Sequence, residues 1–404
     1  MDFEAGLRRS PDPGPIPTES EPALVERIRT EIVANGPMTF ARFMHLALYD
    51  PDFGYYRVAE ERPGRDGDFL TAPETHPIFG AAVARQLVEI WERLGQPDRF
   101  VLREYGAGSG TLALTVLEAL AGRGRLGRVA GSAGLSAAIR YAPIEINPYR
   151  LATLTERIGT AGFGSHLAAD LPPGEPVVGA VLANEFLDAL PVHRVRQRGD
   201  HLQELFVAWD GTGFVPHAGR PSTPDLQGRL AADGVRLGDG ARAEICRALD
   251  GWVAELAAGL ERGGVLIIDY GHPAAELYGP ARAGGTLMAY SGHQAHDDWS
   301  VAVGRQDLTA HVDFSALERS AAANGLTPLG LTSQAEFLVG VGTDELLGAI
   351  RSDPGTTMEE WLAVRSSMGR LLDPRAMGGF RVCLIGRGIP ADPPLAGLGY
   401  HLPR

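Results

Sequence analysis

Lysine is absent from this chain of 404 residues, and all 37 basic side chains are arginine. No Schiff-base lysine and no Walker-type phosphate lysine can exist, so two reaction classes fall away. Cysteine is nearly absent too. Cys246 and Cys383 stand alone in apolar stretches without C-x-x-C spacing, which argues against a disulfide framework and for a reducing compartment. No apolar run approaches the ~20 residues of a membrane span. The leading "MDFEAGLRRSPDPGPIPTESEP" lacks the apolar core of a secretory signal. The expectation is a cytoplasmic protein, not inserted in a membrane, behind a disordered Pro-rich lead over residues 1–22. Positive charge is also in deficit. A formal charge of −13 opposes an electrostatic grip on nucleic acid and favours basic protein or peptide partners. No G-x-S-x-G elbow and no H-E-x-x-H occur, which disfavours a serine hydrolase or a zinc protease.

What is present reads as a folded α/β chain with 44% hydrophobic and 22% charged residues. Leu24, Ile28 and Ile32 recur at helical spacing, and Val83, Leu87, Ile90, Trp91 and Leu94 mark a longer amphipathic helix. Residues 23–99 therefore form an N-terminal helical part, and its aromatic, Gly/Pro-rich middle is too apolar for a linker and reads as a cap or lid. From Phe100 strands and helices alternate, predicting a largely parallel sheet of seven strands covered on both faces. The core extends over 100–390 with two insertions. One, at about 193–240, is an antiparallel hairpin turning at Gly-Asp and Asp-Gly; the other, at about 335–376, is helical. "ARAEICRALDGWVAELAAGL" reads as one helix, 122–134 and "SGHQAHDDW" as loops, Asp313 as a helix cap, and 391–404 as a tail.

In "REYGAGSGTLAL" Gly106, Gly108 and Gly110 follow a strand and precede a helix. Such a turn lets backbone approach a ligand beside a helix N-terminus. The spacing G-x-G-x-G lacks the pyrophosphate signature of dinucleotide folds. Glu145 ends the next strand, where a carboxylate can accept both hydroxyls of a ribose, so glycines and acid together describe a nucleoside clamp. Glu104, just before the turn, reads either as a cofactor-facing acid or as a buried acid holding the loop.

"ANEFLDALPVHR" follows the central strand and puts Asn184, Glu185 and Asp188 at the carboxyl edge of the sheet. Glu185 and Asp188 would share a face if a helical turn begins there. Paired carboxylates of this kind can orient a guanidinium; capping of the turn is the alternative. Asp269 ends a neighbouring strand, with a functional and a structural reading both open. His293, His296, Asp297 and Asp298 form only an imperfect metal pattern, so no metal is expected.

The motifs "GDFLTAPETHPIFG", "EYGAGSGTLA", "ANEFLDALPVHR", "QDLTAHVDFSAL" and "TSQAEFLVGVG" resemble, in order and separation, those of the MidA-like family, over about residues 37–388. The resemblance implies a class I, Rossmann-like, seven-stranded methyltransferase dependent on S-adenosyl-L-methionine, with mitochondrial members acting on an arginine of a respiratory-chain subunit. It would lay Gly106, Gly108 and Gly110 along the cofactor, with Glu104 toward its amino-acid end, Glu145 on the ribose, and Asn184 and Glu185 beside the sulfonium. Gly67, Asp68, Phe69 and Thr71 would close over the site, or else form a packed turn capped by Asp68. Glu185 is the first candidate for the group that orients or deprotonates the acceptor, Asp188 the second. The stretch "GTLMAYSGHQAHDDWSVAVGRQD" departs from the basic, Tyr-rich loop usual in the family, which keeps a small-molecule acceptor open beside a protein one. A noncatalytic assembly factor retaining the cofactor fold is the third reading, and a homodimer stays an open alternative.

Overall fold

A computed structural model of the chain describes residues 18–58, 71–123, 126–172, 174–291 and 294–402. The central sheet is built from β1 (Phe100–Tyr105), β2 (Ile139–Ile144), β3 (Val177–Asn184), β4 (Leu260–Asp269), β5 (Thr327–Ser333) and β6 (Arg381–Arg387). Their order is β5-β6-β4-β3-β1-β2, and β6 alone runs antiparallel to its neighbours. β3 and β4 are near-continuous apolar runs because both faces are covered.

The sheet has six strands among the described residues, not the expected seven. At the free edge of β2 the chain makes a single parallel bridge, Tyr141 with Leu167, and the Ala168 N–H donates to the Tyr141 carbonyl at 2.8 Å. The chain then turns away, the Leu171 N–H donating to the Ala168 carbonyl at 3.1 Å, so no strand develops.

Seven α-helices precede β3 among the described residues: α1 (Pro22–Asn35), α2 (Phe40–Tyr49), α3 (Ala72–Thr75), α4 (Ile78–Arg93), α5 (Thr111–Ala121), α6 (Ser132–Ala138) and α7 (Pro148–Ile158). Leu24, Ile28 and Ile32 are the buried stripe of α1, as their spacing predicts. α6 begins in the last three residues of the stretch read as a loop, 122–134. One face of the sheet carries α4 and α5, where Val83, Leu87 and Ile90 are fully buried, each stabilising the fold by about 1.5–3 kcal/mol. The opposite face carries the helices Ala248–Ala258 and Phe314–Ala323. Asp313 caps the latter, accepting from the Ala316 N–H at 2.9 Å.

The N-terminal part divides. α4 belongs to the sheet's core, whereas α1 and α2 form a separate cluster with Val192, Val207, Phe214, Leu287, Trp299 and Val303. The hairpin near 193–240 is part of a four-stranded antiparallel sheet: His193–Arg198, His201–Trp209, Phe214–Gly219 and Arg242–Ile245. Residues 242–245 are thus a strand, with Ala243 and Ile245 buried, and the following helix begins only at Ala248. Met288–Ser291 and Gln294–His296 pair as strands where a loop was expected.

The disordered lead does not extend to residue 22. Ala302 donates to the Thr18 carbonyl, Glu21 to that of Val303, and Val303 to the Ser20 hydroxyl; residues 1–17 lie outside the described set. The last segment is tied down as well, with Leu395 and Leu398 buried and the Gly397 N–H donating to Gln86 on α4 at 3.0 Å. No helix among the described residues is long and apolar enough to cross a membrane. Cys246 and Cys383 are free thiols.

Candidate active site

Four strands end side by side, at Tyr105, Ile144, Asn184 and Asp269, and the candidate residues cluster at that edge because β1, β2, β3 and β4 are parallel. Beyond β1 the chain turns through Gly106, Gly108 and Gly110, with φ of +66°, +54° and +78°. Gly110 starts α5, and a Cβ there would come within 2.8 Å of Leu154 Cγ on α7. A Cβ on Gly108 would meet only the Gly106 carbonyl at 4.0 Å, so the space above Gly108 is open. The Glu145 carboxylate accepts from the Gly108 N–H and from the Asn147 N–H, both at 2.8 Å. Each of its oxygens keeps acceptor capacity for a hydroxyl pair. Beside it Ile144 and Ile146 are 37% and 41% exposed, an apolar wall that the reading of the sequence did not include. Open glycine backbone, a bridging acid and an apolar wall together fit a nucleoside.

Glu104 is buried and accepts from the Tyr141 hydroxyl at 2.5 Å. Burial lifts its pKa to about 7 against the pull of that hydrogen bond. It holds β1 to β2 directly beneath the glycine turn.

No helix begins at Glu185. Residue 185 takes φ +48°, a left-handed conformation costly for a non-glycine residue. The Asp269 carboxylate holds the turn that follows. One oxygen accepts from the N–H groups of Phe186, Leu187 and Asp188 at 3.1, 2.8 and 3.3 Å, the other from Tyr270 at 2.9 Å. Asp269 is fully buried, and burial raises its pKa to about 7. It is therefore the structural anchor of the segment.

The strained turn aims the Glu185 side chain back over the strand ends. Its Oε1 accepts from Asn184 Nδ2 and the Ala72 N–H, each at 3.2 Å, and its Oε2 from the Tyr270 hydroxyl at 3.3 Å. Burial raises this carboxyl to about 7, against those three donors. Asp188 is buried and pushed well above the ordinary range, first by burial and then by Asp269, Asp307 and Glu185. Asp307 escaped the sequence reading, although it lies within the quoted "QDLTAHVDFSAL". It accepts from the Tyr56 hydroxyl at 2.8 Å, Tyr56 stacks on Tyr49, and Tyr49 donates to the Ala189 carbonyl at 2.9 Å. The edge is thus an acidic cluster walled by tyrosines from the N-terminal part.

That part is anchored at both ends of the site. Asn147 Nδ2 donates to the carbonyls of Tyr56 and Val58 at 3.0 and 2.9 Å, and Arg57 donates to the Ile146 carbonyl at 2.8 Å. Ala72 reaches Glu185 as above, while Thr71 and Glu74 form a capping box on α3. Gly67, Asp68 and Phe69 lie outside the described residues, as does His293. Among the described residues no group of three or more His, Cys, Asp or Glu is arranged to hold a metal.

The family model described as "Putative S-adenosyl-L-methionine-dependent methyltransferase" matches residues 82–332. The chain belongs to this family. A Burkholderia thailandensis protein crystallised with S-adenosyl-homocysteine superposes with a TM-score of 0.82 at 33% identity, over 93% of this chain and 94% of that one. The "Protein arginine methyltransferase NDUFAF7, mitochondrial" of Danio rerio is 29% identical over 88% of this chain and 85% of its own length. Its Drosophila melanogaster homologue is 30% identical over 88% and 83%. The chain is accordingly an S-adenosyl-L-methionine-dependent methyltransferase built on a mixed sheet.

Proposed function

We propose that this methyltransferase modifies an arginine of a protein or peptide, with the guanidinium held by Glu185, Asp188 and Asp307. The observation that carries the reading is the crowding of carboxyls at the strand ends, protonated more readily than usual because burial and mutual repulsion disfavour their charge. A cation entering there relieves both effects. The names of the curated relatives support it.

When bound, S-adenosyl-L-methionine supplies an electrophilic sulfonium methyl group. Gly106, Gly108 and Gly110 lie along it in this reading, with Glu104 beneath, Glu145 on the ribose and Ile146 against the base. Asn184 borders the reacting end, and Thr71 belongs to the cover. Glu185 would orient the acceptor nitrogen and take the proton it loses as the methyl passes from sulfur to nitrogen, the cofactor leaving as a neutral thioether. A carboxyl near 7 is suited to that exchange at neutral pH. The chain's larger contribution is positioning, because the acceptor must approach the methyl in line.

The reversal of β6 supports a class I, Rossmann-like core over 100–390; of the 23–99 cap, α1 and α2 form the part that covers it, while α4 packs within the core. The free thiols support a reducing compartment, the cytoplasm in this reading, against which stand the mitochondrial names of the relatives. Nucleic acid has no part in it, and the active unit is a monomer or a homodimer.

The altered stretch 286–306 favours a second reading, a small-molecule acceptor. Incubation of the full chain with methyl-labelled cofactor and a whole-cell lysate separates them. Label in protein methylarginine is the expected result; label confined to small metabolites supports the second reading, and no transfer at all points to an assembly factor.

A further inference from the structure

Tyr270 separates two fields of opposite sign. Its hydroxyl donates to Glu185, while its ring stacks on His311 with centroids 6.3 Å apart. The His311 ring is 5.5 Å from that of His272. His272 Nδ1 and Arg381 Nη2 approach the same Glu276 oxygen at 3.3 and 3.4 Å, and Arg282 donates to the Glu276 carbonyl at 3.0 Å. Glu276 is the acid that touches His272, Arg381 and Arg282, and its side chain is 57% exposed. Arg282 forms no ion pair among the described residues. Arg381 Nε and His311 Nδ1 are buried with no hydrogen-bond partner among them. Arg381 also lines an open cavity of about 440 Å³. Glu276 and Glu336 line it too, Glu336 being committed to Ser333 and to the Leu402 N–H.

Positive charge is under-compensated here. Burial, then Arg282 and Arg381, hold His272 down to about 4; burial, then His272 and Arg282, hold His311 to about 3. Two guanidiniums with unused donors are the usual receptor for a carboxylate.

We propose that Arg282, Arg381, His272 and His311 form an anion subsite that takes a carboxylate of the acceptor, lying one ring away from the arginine to be methylated. The inference rests on the arginine reading above. It makes an acidic residue near the target arginine a determinant of acceptor choice.

The test uses the full chain, labelled cofactor and peptide pairs that carry Asp or Asn at each of several positions around one arginine. At the favoured position the Asp peptide has a KM about tenfold lower or better, as expected for a charge-assisted contact. That preference disappears in Arg381→Gln and in Arg282→Gln, two variants that guard against a folding defect in either. In parallel, histidine NMR of the wild-type chain with inorganic phosphate follows His272 and His311. A bound anion raises both imidazole pKa values by about one unit or more, and Arg381→Gln abolishes the rise. Equal KM for every Asp/Asn pair overturns the role in acceptor choice. No rise with phosphate overturns the anion site. If no arginine peptide is methylated while phosphate still raises the imidazoles, the arginine reading fails and the anion site stands.

Discussion

Two glycines two residues apart predict opposite outcomes for the same substitution. At Gly110 an alanine must adopt φ +78° and place its Cβ 2.8 Å from Leu154 Cγ. The left-handed backbone costs ~1–2 kcal/mol, and displacing a buried leucine that packs α7 against the turn costs a further ~1–3 kcal/mol. Gly110→Ala should therefore lower unfolding stability by about 3 kcal/mol. At Gly108 the backbone penalty is similar but the new methyl meets nothing closer than 4.0 Å. Gly108→Ala should cost the fold only about 1 kcal/mol. The methyl instead projects into the space assigned to the cofactor, where a comparable overpacking of ~1–3 kcal/mol raises the cofactor Kd about tenfold or more. Urea unfolding of the cofactor-free proteins reads the first quantity and titration calorimetry the second. Wild-type affinity in Gly108→Ala would refute the placement of the cofactor over that glycine. Equal stability of the two variants would refute the packing argument.

Glu185→Gln should leave cofactor affinity intact and lower the single-turnover rate by about 10²–10⁴-fold. The wild-type rate should rise with pH through about 7, as this carboxyl loses its proton, and the variant should lack that limb. Stability should move the other way. Glu104, Glu185 and Asp269 have folded pKa values raised to about 7, so the folded state binds more protons than the unfolded one between their ordinary values and 7, and stability falls as pH rises through that window. Glu104→Gln should flatten part of that slope in denaturant melts across pH 4–8. Asp269→Ala removes the acceptor of four backbone N–H groups and should cost about 3 kcal/mol in urea unfolding; an undiminished stability would contradict its role as anchor.

The local features of the site were legible in the chain because each depends on neighbours in sequence. Glycines at alternate positions between a strand and a helix impose their turn wherever the strand lies, and the apolar runs of β3 and β4 announce burial on both faces. The register of parallel strands then carries Glu145, Asn184, Glu185 and Asp269 to one edge. The turn at Glu185 was not legible. Its left-handed backbone is held by Asp269, some 80 residues away, and i,i+3 spacing alone suggested a helix that the amides of 186–188 abandon for that carboxylate.

By itself the sequence determined the fold class, the family and the residue types at the strand ends, since periodicity and glycine placement act over short distances. Tertiary structure decided the count of six strands among the described residues, where the chain meets the edge of β2 in one bridge at Leu167 and then turns away. It also decided the division of the N-terminal part between core and cover. The meeting of Tyr56 with Asp307, and of Arg282 with Arg381 and two histidines, is likewise tertiary, because charge from segments far apart in sequence becomes a field only when the fold brings them within a few ångströms.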